Sequence, residues 1–171
     1  MNAEPVQVAD AVAKLLTRLQ AADSFSMRFN VRWSFGDFAM HLDKAPPDGL
    51  PWVDVVPPVK PTSELDGRYF YKHGVPVRVG VRAKMVGVTL DWSEAMDPAK
   101  IAPYCQLLYE LKRYFDPSTN NPRGLVLEDY LPGTCVIRGC TIIKMWDPEL
   151  LSEAKVYCGI IEVPFALKVQ V

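Results

Sequence analysis

The stretch 75–85 constrains the fold more than any other part of this sequence. Its apolar residues are spaced two apart, so they share one face of an extended chain, while Arg78, Arg82 and Lys84 share the opposite face. Valine dominates the apolar face, and β-branched residues favour strands. The pattern predicts a central β-strand with one face against a core, and we expect the second predicted helix to cover that face.

Two amphipathic helices are predicted on either side of this strand. The first begins at Pro5, in the first-turn position that tolerates proline, and ends near Gln20. The second spans 97–115, where an Asp-Pro pair forms the cap and first turn and an apolar stripe follows. Because each stripe needs an apolar partner, we predict a two-layer α+β domain: a mostly antiparallel sheet with both helices on one face.

Further strands are predicted by alternation of apolar and polar residues. A short helical turn is expected at about 148–155, before the last of these strands. Pro164 lies in that last strand and cannot donate to a ladder, so it predicts an edge position or a bulge. The predicted strands are 25–35, which is rich in aromatic residues, 52–56, 134–146 and 156–171.

Length and composition favour one domain, residues 1–171. With 171 residues and 49% hydrophobic content, the chain can bury a sizeable core. The segment 36–74 combines many prolines with aromatic residues, and a connection this long inside a compact domain is usually functional. We therefore predict that 36–74 is a proline-rich arm, part of which is extended and orders against another subunit, and that 116–133 is a second long loop.

The sequence offers little that could support catalysis or metal binding. The four cysteines contain no CxxC pair, and neither His41 nor His73 lies near a cysteine in sequence. Nucleophile motifs and glycine-rich phosphate loops are absent. A net charge of -1 gives no global attraction to nucleic acid or to an acidic membrane, and no apolar run approaches the roughly 20 residues that span a bilayer. We expect no enzyme, no cofactor and no membrane partner.

One electrostatic feature departs from this background. If the predicted strands 25–35 and 75–85 are neighbours, their polar faces form a basic surface without an acidic residue. Such a surface could bind nucleic acid or an acidic protein. The alternative is that acidic side chains from other strands or loops of the same domain neutralise it. The basic residues are Arg28, Arg32, Arg78, Arg82 and Lys84.

Several short motifs, in this order along the chain, resemble the tail-terminator or tail-completion proteins of long-tailed bacteriophages. The chain departs from that family's pattern in a longer segment around 36–51 and in the loop 116–133. The motifs follow an amphipathic N-terminal helix and an aromatic-rich strand, and they are WVDVVP at 52–57, LDGR at 65–68, VRAK at 81–84 and MWDPELL at 145–151.

The resemblance implies a structural role in the virion, without catalytic residues. Members of this family are small α+β proteins that form rings, commonly hexamers, which cap the tail tube and receive the DNA-filled head. The implied partners are further copies of the chain, tail tube and sheath proteins, head-tail connector proteins and, in passing, DNA in the channel. The implied location is the tail or neck of a virion assembled in the host cytoplasm. A stopper or adaptor of the connector, or a small nucleic-acid-binding domain, remains an alternative.

We expect the subunit or partner interface to combine the basic strand faces with aromatic and basic residues of the proline-rich arm. The arm contributes Trp52, Arg68, Tyr69 and Tyr71. The strand faces contribute Arg28, Arg32, Arg78, Arg82 and Lys84.

Overall fold

A computed structural model describes residues 5–33, 35, 49–65, 68, 70–85, 98–116, 134–137 and 139–170. Within these ranges the chain forms two α-helices and seven strands, with a π-helical turn at Leu150–Ala154 before the last strand. In chain order the elements are α1 (Pro5–Ala21), β1 (Asn30–Trp33), β2 (Trp52–Val56), β3 (Thr62–Leu65), β4 (Phe70–Lys84), α2 (Pro98–Phe115), β5 (Thr134–Ile137), β6 (Thr141–Lys144) and β7 (Val156–Gln170).

The strands form one sheet in the order β1-β2-β4-β7-β5, with β3 beside β4 and β6 beside β7. The pairing of β1 with β2 is parallel, and the other described pairings are antiparallel. The predicted α+β fold with a mostly antiparallel sheet is therefore confirmed. The prediction that 75–85 forms a central strand is also confirmed, since β4 lies between β2 and β7.

Both helices pack on the same face of the sheet, as predicted. The apolar stripe of α1 lies over β1, β2 and β4, and that of α2 lies over β4 and β7. The two stripes and the inward side chains of the strands belong to one hydrophobic core. Its fully buried members include Val8, Leu15 and Leu16 from α1, Leu107, Leu111 and Phe115 from α2, and Val77, Val79, Val81, Ile161 and Phe165 from the sheet.

Pro164 lies inside the sheet, so the expectation of an edge strand or a bulge at this proline is wrong. It faces Pro76 directly across the β4–β7 ladder. Neither proline has a backbone N–H, so the two residues cannot form hydrogen bonds with each other. They therefore fit a non-hydrogen-bonded position of the ladder, where backbone N–H groups point away from the facing strand. On the far side of Pro76 the β3 ladder ends at Gly74 and the β2 ladder begins at Arg78. Each proline therefore sits at a break in the neighbouring strands.

The corresponding break beside Pro164 divides the predicted strand 134–146 into β5 and β6. The β5 ladder on β7 ends at Phe165, and the β6 ladder begins at Glu162. Gly139 lies between the two strands with a φ of 146°, a backbone conformation that favours glycine. The chain therefore turns away from β7 opposite the residue that cannot donate to it.

The predicted strand 25–35 is much shorter in the structure, where β1 covers Asn30–Trp33 only. Upstream of β1, the backbone N–H of Ser26 donates to Glu110 Oε2 of α2 at 2.9 Å, and the Ser26 hydroxyl donates to the same oxygen at 2.9 Å. Phe29 is buried, whereas Phe35 at the other end is 72% exposed. Apolar and polar residues do alternate over 25–35. However, the Glu110 side chain of α2 accepts the hydrogen bond from the Ser26 backbone that a neighbouring strand would otherwise accept.

The interpretation of 36–74 as an extended arm is wrong for its second half. The strands β2 and β3 and the start of β4 lie in that segment and form part of the sheet. Val53 and Val55 are fully buried in the core shared with α1. Prolines lie just outside the ends of β2 and β3, where no backbone N–H is needed for pairing with a neighbouring strand. The residues 36–48 and nearly all of the predicted loop 116–133 lie outside the described residues.

Replacing Val79 with Asp should unfold the domain. Val79 is fully buried at the centre of the sheet, where an unpaired carboxylate would cost several kcal/mol. Lys84→Asp is the matched control, because Lys84 is exposed near the end of the same strand. Thermal unfolding followed by circular dichroism measures both variants. A Val79→Asp variant that melts at the wild-type temperature would contradict the central position of β4.

Candidate interaction surface

A buried carboxylate lies on the sheet face opposite the helices. In β2, Val53 and Val55 face the core, so Asp54 faces the other way. The strand register places Arg32 of β1 opposite Asp54, and Arg82 of β4 opposite Trp52. Asp54 is only 3% exposed and Arg82 only 5% exposed. The register thus brings residues from three adjacent strands into one polar cluster.

Two arginines share the Asp54 carboxylate. Arg32 contacts it through two hydrogen bonds, from Nε to Oδ1 at 2.8 Å and from Nη2 to Oδ2 at 3.2 Å. Arg82 Nε lies 2.5 Å from Oδ2. The Arg32 guanidinium also lies 4.8 Å from the centre of the Trp52 ring, within the range of a cation–π interaction. We call Arg32, Asp54, Arg82 and Trp52 the Asp54 cluster.

The expectation of a basic face without acidic residues is wrong, and the alternative of neutralisation within the domain is confirmed for these arginines. The strands β1 and β4 are not neighbours, because β2 lies between them and supplies Asp54. Arg78 pairs across the β4–β7 ladder with Glu162 at 3.4 Å. Arg28 pairs with Asp23 at 3.3 Å, and both of these side chains are about two-thirds exposed.

The predicted interface residues therefore separate into several places. Trp52, Arg32 and Arg82 meet in the Asp54 cluster, whereas Arg28 and Arg78 belong to separate ion pairs. Lys84 and Arg68 are exposed. Tyr69 lies outside the described residues, and Tyr71 is described only as a backbone position in β4.

Replacing Asp54 with Asn should destabilise the fold, because the buried Arg82 would lose its counter-charge. Breaking a buried ion pair in this way costs roughly 3 kcal/mol or more. Glu162→Gln removes the partner of an exposed arginine and should cost less than about 1 kcal/mol. Urea unfolding measures both free energies. Equal costs for the two variants would show that the Asp54 cluster contributes no more than a surface ion pair.

An apolar groove lies on the other face of the molecule, between α2 and the chain that follows β6. Its volume is about 540 Å³. Trp146 is 49% exposed and Tyr109 is 52% exposed at this surface. The groove is lined by Pro98, Ile101, Ala102, Cys105, Gln106 and Tyr109 of α2 and by Met145, Trp146 and Leu151. We call it the α2 groove.

The wall of the α2 groove after β6 is held in place by Asp147. Its Oδ1 accepts hydrogen bonds from the backbone N–H groups of Glu149 and Leu150, each at 3.1 Å. Its Oδ2 accepts a hydrogen bond from Lys144 Nζ at 2.9 Å. These contacts are those of a helix cap, and the hydrogen bond from Lys144 is the main reason that the pKa of Asp147 is lowered.

A buried tyrosine connects this wall to the sheet and to α2. Tyr157 of β7 donates from its hydroxyl to the Met145 carbonyl oxygen at 2.6 Å. Its ring stacks on Tyr104 of α2, with centroids 5.4 Å apart. The next inward position along β7 is Gly159, where a Cβ atom would lie 2.7 Å from the same Met145 oxygen. Glycine at that position leaves room for the wall.

Sequence reasoning found the pieces of the α2 groove but not the groove itself. Ile101 and Cys105 have the helical spacing of the apolar stripe predicted for 97–115, and they are half-buried at the groove. The other wall belongs to the MWDPELL motif, whose spacing predicted only a turn. The exposed aromatic residue in that motif, Trp146, is the signal that could have indicated a surface site.

Two buried thiols in the described part of the chain have displaced pKa values. Burial raises the pKa of the Cys140 thiol to about 12 and that of the Cys158 thiol to about 11, so both stay protonated at neutral pH. Among the described residues, no cluster of His, Cys, Asp and Glu is arranged to hold a metal ion. In the same part of the chain, no helix is both long and apolar enough to cross a membrane.

No protein-family model matches this chain, and no curated protein matches it. The geometry and chemistry of its surfaces therefore carry the functional argument. Two features stand out: a sheet face whose charges are largely paired within the domain, and an apolar groove that no described residue fills.

Replacing Asp147 with Asn keeps a capping oxygen but removes the charge that Lys144 contacts, so it should cost less than about 1 kcal/mol of stability at neutral pH. Because its folded pKa is lowered, the carboxylate stabilises the fold above its unfolded pKa of about 3.9, and this contribution is lost as pH falls through the folded value. The gap between wild type and variant should therefore narrow below about pH 4. Thermal melts from pH 3 to 7 measure it, with Glu149→Gln on the same turn as control. A gap independent of pH would contradict this role.

Proposed function

We propose that this protein is a structural component of the neck of a long-tailed bacteriophage. It forms a hexameric ring that caps the head-proximal end of the tail tube and joins it to the head connector. It acts by assembly and catalyses no reaction. Its partners are further copies of itself, the tail tube and sheath proteins, and the connector proteins on the head side.

The observation that carries this proposal is the position of the MWDPELL motif. This motif contributes to the resemblance to tail-terminator proteins, and its residues Met145, Trp146 and Leu151 form one wall of the α2 groove. A large apolar surface beside half-exposed aromatic residues is typical of an interaction site. A motif whose side chains line such a surface fits a protein that works by contacting other proteins.

The charge distribution also supports assembly over nucleic-acid binding. A DNA-binding surface needs basic side chains that are available to phosphates. Arg32 and Arg82 are engaged by Asp54, and Arg78 is paired with Glu162. The nucleic-acid alternative thereby loses the unpaired basic face on which it depended. A stopper or adaptor of the connector stays an alternative, because it would assemble through similar surfaces.

Light scattering of the purified protein, alone and with tail tubes of the phage that encodes it, tests the proposal. We expect a mass close to six subunits, either in solution or only after tubes are added. Complete tails are the control, because their head-proximal end is already occupied and should take up no further protein. A monomer that ignores tubes would contradict the proposal. A ring that binds the connector but not the tube would favour the stopper alternative.

A further inference from the structure

We propose that the sheet consists of two halves that open separately, joined at the facing prolines Pro76 and Pro164. The first, which we call the β3–β5 half, contains β3, β5 and the ladder segments 70–75 of β4 and 165–170 of β7. The main half contains β1, β2, β6 and the rest of the β4–β7 ladder. Separate opening is a property of the single subunit, whether or not the subunit forms rings. Its cause is the number of strands that pair at each point along the ladder.

The described sheet is narrowest at the two prolines. The strand β3 pairs with β4 as far as Gly74, and β2 pairs with β4 only from Arg78 onward. On the other side, the pairing of β5 with β7 reaches Phe165, and that of β6 begins at Glu162. Between these limits β4 and β7 pair only with each other among the described strands. Away from them the sheet is four strands wide in the β3–β5 half and up to five strands wide in the main half.

The sequence keeps this narrow junction from widening. The chain 57–61, which connects β2 to β3 beside Pro76, reads PPVKP, so three of its five residues lack a backbone N–H. The valine at its centre, Val59, is 95% exposed. Beside Pro164, the chain between β5 and β6 passes through Gly139 with its positive φ. Neither connection forms a strand that could fill the gap.

A ladder of two strands holds its neighbours together weakly. Two-stranded ribbons twist more than wide sheets, and alone they are only marginally stable in water. Because the facing prolines lack N–H groups, backbone hydrogen bonds join the strands at the junction only through the pairs on either side of the prolines. The junction therefore transmits little of the stability of the main half to the β3–β5 half.

The helices also hold the two halves unequally. The helix α1 packs on β1, β2 and β4, and α2 packs on β4 and β7, whereas neither makes a comparable contact with β3 or β5 among the described elements. Phe115, the last residue of α2, meets Phe165 edge to face with ring centroids 6.4 Å apart. Both side chains are buried. Phe115 thus ties the β3–β5 half to the helix layer directly beside the junction.

The β3–β5 half has the makings of one cooperative unit. Its four strands pair side by side, and part of the hydrophobic core lies on them. Parts of a protein that open below the global unfolding energy are usually contiguous units of this kind. The β3–β5 half therefore opens as a whole while the main half stays folded under both helices. The buried core residues of the β3–β5 half include Val75, Ile137, Phe165 and Leu167.

Native-state hydrogen exchange, followed by NMR at low urea concentrations, tests this separate opening. We expect the amides of Tyr71, His73 and Val75 to share one opening free energy with the paired amides of β3 and β5. Their protection factors should be at least about tenfold lower than those of Val79 and Val81, which corresponds to about 1.4 kcal/mol. These amides are a matched set, because they alternate with the proline position and so hydrogen-bond to β7 in the same way.

Simple fraying of the strand ends predicts a different pattern. Protection would then rise gradually from Phe70 towards the middle of β4, with no step at Pro76. Such a gradient would overturn the proposal. Amides of both halves that exchange only through global unfolding would overturn it as well.

Two variants of α2 distinguish separate opening from global unfolding. Phe115→Leu removes the ring contact with Phe165 and should lower protection in the β3–β5 half roughly three- to tenfold. Leu108→Val is the control, because Leu108 is also fully buried on α2 but lies beside Gly159 of the main half. It should lower the global unfolding energy and leave protection in the β3–β5 half unchanged. If each variant lowers protection equally in both halves, the sheet opens as one unit and the proposal fails.

Discussion

The structure depends on one interaction, the antiparallel ladder between β4 and β7. Both strands have 15 residues, and they pair along their whole length from Phe70–Gln170 to Lys84–Val156. Every other described strand except β1 pairs directly with one of these two; α1 packs on β4, and α2 packs on both. Two short strands, β3 and β2, pair with β4, and two more, β5 and β6, pair with β7. In each set the pairing is interrupted beside a proline, Pro76 in β4 and Pro164 in β7. The ladder is therefore the frame on which the functional surfaces are placed.

The Asp54 cluster adds a second constraint, on how the edge of the sheet is attached. The strand β1 is only four residues long and pairs in parallel with β2, so few backbone hydrogen bonds fix its register. The bidentate contact of Arg32 with Asp54 forms across that pairing and is correct in one register only. Because Asp54 also binds Arg82 of β4, the same carboxylate ties the edge to the central ladder. The cluster thereby ties β1 to the rest of the sheet.

Local patterns predicted the elements well, because alternation and helical spacing record which face is buried. They placed the central strand and both helices, and the fold class followed. The local patterns failed where a residue distant in sequence determines the structure. Glu110 accepts the hydrogen bond of the Ser26 backbone, and β1 begins only at Asn30. The strand β2, which carries Asp54, lies between β1 and β4, whose basic faces the sequence analysis had considered as neighbours. The α2 groove was missed for the same reason. Its two walls are remote in sequence, and only the packing of α2 against β7 brings them together.

The structure presents an exposed aromatic residue just after β1 and an apolar groove between α2 and the chain that follows β6. That arrangement suits a subunit of a closed ring, which is the central claim. Electron cryomicroscopy of tail tubes incubated with the protein tests it most directly. We predict a ring of copies at the head-proximal end of the tubes. Tube ends that carry no ring, with the protein left free in solution, would contradict it.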